Sequence, residues 1–158
     1  MGELAGDVVR DRAPRLIADA ALEAFRGIGA DDLEAGAPAE VREPGGGLDY
    51  WLVPGLRGGG VVALARILPD GRVATVGELR RPAADAAEAA TGLGAEAARA
   101  LADRLRGEHA AVAEPVLVHD GPVGREAWLY AVTTGDGRAR WVFATGGGTY
   151  DREAGASL

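Results

Sequence analysis

Two stretches carry the fold reading: GLDYWLVPGLRGGGVVALARILPDGRVATV over residues 47–76, and GREAWLYAVTTGDGRARWVFATGGGTYDR over residues 124–152. Each holds a Trp-centred apolar run, a Gly-rich link and a second apolar run that leads into a turn. Shifting the chain by 77 residues places Pro38 on Pro115, Val41 on Val118, Glu43 on Asp120 and Asp49 on Glu126. The same shift places Trp51 on Trp128 and Leu52 on Leu129. Matches between Ala or Gly weigh little in so Ala- and Gly-rich a chain. The Pro–Trp–Leu framework and the paired acids weigh more, and they predict one unit built twice.

The expected fold is α+β: two tandem repeats, each a helix followed by a four-stranded antiparallel sheet, over residues 1–79 and 80–158. In the first repeat, Leu16, Ile17, Ala20, Ala21, Ala24, Phe25 and Ile28 form a stripe at helical spacing, with Pro14 placed in the first turn. In the second, Leu93, Ala97, Leu101 and Leu105 mark a buried face, Gly92 and Gly94 a break, and Gly107 an end. Strands are predicted over 38–43, 48–54, 61–68 and 73–77, and over 115–120, 126–133, 138–145 and 149–152. Asp136-Gly137 supplies a hairpin turn, because Gly accepts the positive φ required there. RRPAAD at 80–85 reads as the hinge. Each half has one helix and little core, so the two are expected to pack as one globular unit.

Bulk composition narrows the function classes. The chain has 158 residues, which suits one ordinary domain or two small halves. Its net charge is −7, and all 17 basic residues are Arg, a bias that points to GC-rich bacterial codons. An acidic chain is poorly matched to a nucleic-acid backbone or an anionic membrane. There is no cysteine, which removes disulfides and thiolate chemistry. The first residues read as neither a secretory signal nor a myristoylation site at Gly2, and no apolar run is long enough to span a bilayer. These readings predict a cytoplasmic protein.

The Trp strands and the turns that close each unit resemble the PepSY-like group, whose relatives include streptopain-type propeptides, inhibitors and small immunity proteins. The residues that carry the likeness are Trp51 with Asp70-Gly71-Arg72-Val73, and Trp128 with Gly147-Gly148-Thr149-Tyr150. The second copy departs from the pattern, with Gly in place of the turn Asp. The resemblance implies a PepSY/cystatin-like fold and a non-catalytic module that binds a protein or peptide, inhibitory or immunity-like.

Candidate site residues follow from side-chain chemistry. Trp51, Trp128, Tyr130, Trp141 and Tyr50 are the binding candidates, either filling the core or lining an open sheet face. No catalytic residue is assigned. His119, Asp120, Glu126 and Asp49 are the groups from which a dyad would be drawn, since a carboxylate-held imidazole can act as a general base. The alternative at those positions is a solvated hairpin tip. His109 suits the negative end of a helix. The only serine is Ser157, and no lysine accompanies the three GGG runs, which read as hairpin tips rather than phosphate loops. Asp31, Asp32 and Glu34 fit no calcium loop. No metal site and no cofactor are expected. Two other readings stay open: a small cyclase- or isomerase-like accessory enzyme with an acid-lined pocket, and a homodimer paired through sheet edges.

Overall fold

The computed structural model describes residues 4–121 and 123–155, and for residues 4–13 only the course of the helix. Gly2, Pro122 and Ser157, and the expectations attached to them, lie outside the described residues. The elements are α1 (Leu4–Gly27), β1 (Glu34–Ala35), β2 (Ala39–Arg42), β3 (Leu48–Arg57), β4 (Gly60–Ile67) and β5 (Val73–Ala83). There follow α2 (Ala86–Thr91), α3 (Ala95–Glu108), β6 (Ala111–Val112), β7 (Val116–His119), β8 (Glu126–Thr133), β9 (Ala139–Thr145) and β10 (Gly148–Glu153).

The expected pair of helix-plus-four-strand antiparallel repeats is not what forms. Hydrogen bonds join ten strands into one mixed sheet, in the order β10-β9-β8-β7-β2-β3-β4-β5, with β1 added on β3 and β6 on β8. Among the described residues the architecture is mostly β, with three helices. Two physical facts overturn the expectation. β2 and β7 pair in parallel, with Arg42 opposite Val118, so the sheet is not antiparallel throughout. The two-residue strands β1 and β6 satisfy backbone groups by adding to β3 and β8. Neither strand has an apolar pattern that the sequence could reveal.

Local boundaries also move. α1 starts at Leu4, so Pro14 lies inside the helix, where it forgoes one backbone bond. β5 runs on through Arg80-Arg81-Pro82 to Ala83, so most of the segment read as a hinge is strand. α3 passes Gly107 and ends at Glu108; the His109 amide then donates to the Leu105 carbonyl (3.0 Å). The break between α2 and α3 falls at Gly92–Gly94, as the glycines predict.

The chain divides into two compact units: residues up to 40 with 50–86, and residues 41–49 with those from 87 onward. The core of the first gathers Ile17, Ala21 and Phe25 of α1 with Leu33, Val53, Ala63, Ala65 and Ile67. Small residues let the helix lie close to the sheet. Gly55 marks that closeness: a Cβ there would sit 2.8 Å from Leu33 Cδ1 and 3.1 Å from Phe25 Cζ.

The second unit has apolar packing on both faces of its strands. On one face Ala98, Ala102 and Leu105 of α3 meet Tyr130, Val132 and Ala144. On the other, Val118, Ala127, Leu129 and Phe143 form a cluster with Trp141 against it. The three GGG runs all fall at strand-to-strand links, between β2 and β3, β3 and β4, and β9 and β10.

Candidate functional site

Period-two alternation sends the aromatic candidates to different places. Trp128 and Tyr130 share the α3 face of β8. The Trp128 indole N–H donates to the Leu93 carbonyl (2.8 Å), and the Tyr130 hydroxyl to the Ala98 carbonyl (2.7 Å). Tyr130 is fully buried, and that burial pushes its hydroxyl pKa up to about 12. Tyr130 anchors α3 to the sheet, and Trp128 anchors the link that precedes it. Tyr50 is also fully buried. Trp141 lies on the opposite face of the second unit, edge-on to Phe143 and against Gly45 of the β2–β3 link.

Trp51 is placed differently. It is half-buried and lines an apolar cleft of about 330 Å³ with Leu16, Ile17 and Ala20 of α1 and with Pro69, Asp70 and Gly71. Leu16 stands 64% exposed at this cleft, although helical spacing assigned it to the core. The cleft wall is a closed turn: the Leu68 amide donates to the Arg72 carbonyl (2.8 Å), and the Gly71 amide to the Leu68 carbonyl (2.9 Å). Asp70 accepts from the Arg72 amide (3.0 Å) and guanidinium (2.7 Å), which hold its carboxyl below the usual carboxylate range. The rim therefore carries an Asp70–Arg72 ion pair.

The four acid–base candidates do not form one dyad. Asp120 is buried and turns to the face of β10. Its carboxylate meets Arg152 at 3.0 and 3.2 Å, accepts from the Tyr150 hydroxyl and lies 3.9 Å from Arg125. Tyr150 stacks on Phe143 with ring centres 5.1 Å apart, and the Arg152 guanidinium lies 5.4 Å from the Phe143 ring centre. Burial, and then the Asp120 acceptor, push the Tyr150 pKa up to about 12. Glu126, also buried, lines a cavity of about 320 Å³ with Asp120, Arg125, Ala127, Thr145 and Tyr150. Asp120 is thus a structural anion held by Arg152.

His119 faces another way. Its Nδ1 lies 2.5 Å from the Gly121 carbonyl, and its Nε2 lies 3.4 Å from Asp49 Oδ2. Glu43 completes a group whose donor atoms all lie within 4.8 Å of one another. Asp32, in the acidic run, instead forms a two-point ion pair with Arg57 (2.6 and 2.7 Å).

Sequence reasoning missed Leu16 and Arg152 as site residues. Cross-strand register is the missing information: Tyr150 pairs with Phe143 and Arg152 with Trp141, so their side chains share a face. With this geometry in view, comparison with family models, curated proteins and solved structures gives no match.

Proposed function

We propose that the protein is a non-catalytic binding module that takes an extended, basic, apolar-anchored peptide segment of a protein partner into the Trp51 cleft. The observation that carries this reading is Trp51 itself: half-buried in an apolar cleft of about 330 Å³, with Leu16 open beside it. The volume suits a small anchoring group, and half-buried aromatics are favoured anchor points in interfaces.

Two further features support it. β5 ends the strand order, and its first part, Val73–Gly77, has neither charge nor proline. Such an edge can accept an added strand, whereas Arg80, Arg81 and Pro82 discourage pairing further along. The net charge of −7 favours a cationic partner. Occluding a partner's segment in this way would be an inhibitory or immunity-like role, in keeping with the PepSY-like resemblance.

The test is selection of displayed peptides on the purified chain, followed by calorimetric titration. Enriched peptides should carry an apolar anchor flanked by Lys or Arg. Leu16→Asp should weaken them at least about tenfold while leaving the melting midpoint nearly unchanged, because Leu16 is exposed. If selection returns no reproducible peptide, or if Leu16→Asp binds as tightly as the parent, the reading fails. Dimerisation of the chain through β5 would likewise replace it.

A further inference from the structure

We propose that Glu43, Asp49 and His119 form a site for one divalent transition-metal cation of the zinc type. Composition alone predicts no such site, because two histidines without cysteine are poor material. The fold changes that by assembling three segments. Glu43 follows β2, Asp49 lies at the start of β3, and the GGG link between them closes through Glu43 N–H to Gly47 O (3.1 Å) and Gly46 N–H to Glu43 O (2.9 Å). β7 runs parallel to β2 with Val118 opposite Arg42, so His119 arrives beside Glu43. All three residues belong to the same compact unit.

The chemistry follows from the hydrogen bond on the far side of the ring. A carbonyl only accepts, so the Gly121 carbonyl 2.5 Å from Nδ1 requires the proton on Nδ1. Nε2 then turns toward the Asp49 carboxylate at 3.4 Å. In the neutral ring that is a lone pair facing an anion, an arrangement that a proton or a metal ion between them relieves. Backbone support of this kind on the distal nitrogen is how metal-ligating histidines are oriented.

The spacing leaves room for a metal. A charge-assisted N–H···O bond spans about 2.7–2.9 Å. Two ligands at zinc bond lengths of about 2.0–2.1 Å in a tetrahedron lie about 3.4 Å apart. The 3.4 Å separation of Nε2 and Asp49 Oδ2 accommodates the second arrangement. Glu43 is exposed, and its side chain can rotate to close the remaining gap within the 4.8 Å group. One imidazole and two carboxylates suit zinc better than calcium, balance its charge and leave a fourth position open. Bound metal would tie the β2–β3 link to β7.

The experiment uses the full chain without a histidine tag, titrated with Zn²⁺ by calorimetry and native mass spectrometry. One Zn²⁺ per chain is expected, with a midpoint rise of about 5–10 °C at a hundredfold excess over Kd. Co²⁺ in its place should give the strong visible bands of a four- or five-coordinate ion. Asp49→Asn, His119→Asn and Glu43→Gln should each weaken Zn²⁺ binding at least about tenfold, as even outer-shell changes do. Glu43→Gln tests the site with little risk to folding, since that side chain is exposed. No saturable binding, or full binding in Glu43→Gln with loss of metal-free stability in His119→Asn, would show a plain His–Asp ion pair and overturn the proposal. Loss of binding on His109→Asn alone would do the same.

Discussion

Asp120 offers the sharpest test of how this sheet is held. Replacing it with Ala removes a buried carboxylate and strands the Arg152 guanidinium, which lies over the Phe143 and Tyr150 rings. Breaking a fully buried pair from one side costs about 3–5 kcal/mol, whereas an exposed pair is worth about 1 kcal/mol or less. Here the Asp120 side chain is 5% exposed and that of Arg152 36%, so water can reach the stranded cation but not the lost anion's place. The expected loss is intermediate, about 2–3 kcal/mol. In a chain of this length that lowers the midpoint by about 4–12 °C. The assay is urea unfolding followed by Trp fluorescence on Asp120→Ala, Arg152→Met and the double variant. The double variant should lose about 1–2 kcal/mol less than the sum of the singles, since the two changes remove one shared interaction. A loss within about 0.5 kcal/mol for Asp120→Ala, or strict additivity, would refute the structural role assigned here.

Two other stability predictions follow from packing and titration. Gly146→Ala should destabilise by about 1–3 kcal/mol, since its Cβ would lie 2.5 Å from the Gly92 carbonyl oxygen and 2.9 Å from its carbon; Gly47→Ala, with open space around it, serves as the control. Equal midpoints for the two variants would contradict that close approach. Burial raises the folded-state pKa of Tyr130 to about 12 from an unfolded value near 10, so native binding favours the proton. Its contribution is complete below pH 10 and is lost as pH rises from 10 toward 12, by at most about 2.7 kcal/mol. Tyr130→Phe should flatten that alkaline loss in urea titrations while costing about 1 kcal/mol at neutral pH, where the bond to the Ala98 carbonyl is gone. An unchanged alkaline slope in the variant would show that another group is responsible.

Much of the local structure was legible because it depends on neighbours in sequence. Helical spacing from Ile17 to Phe25 locates the buried face of α1, and alternation around Trp51 and Trp128 locates β3 and β8. Asp136-Gly137 turns as its chemistry requires, with the Gly137 amide donating to the Thr134 carbonyl (2.9 Å) and φ at 80°. The expected pair of helix-plus-four-strand antiparallel repeats failed for a different reason. Strand pairing joins residues far apart in the chain, and nothing in the local sequence of Ala39–Arg42 specifies a parallel neighbour at Val116–His119.

The candidate sites divide along the same line. Composition and pattern alone set the absence of thiols, the acidic charge and the list of aromatics and acids available for use. Tertiary pairing decided which of them meet. It sent Trp128 and Tyr130 into the α3 core and left Trp51 at an open cleft. It turned Asp120 to Arg152, and it brought His119 to Asp49 instead of its sequence neighbour. The physical reason is that side-chain periodicity tells which face a residue shares with its own strand, while cross-strand register tells what lies opposite, and that register is set only when distant segments pair.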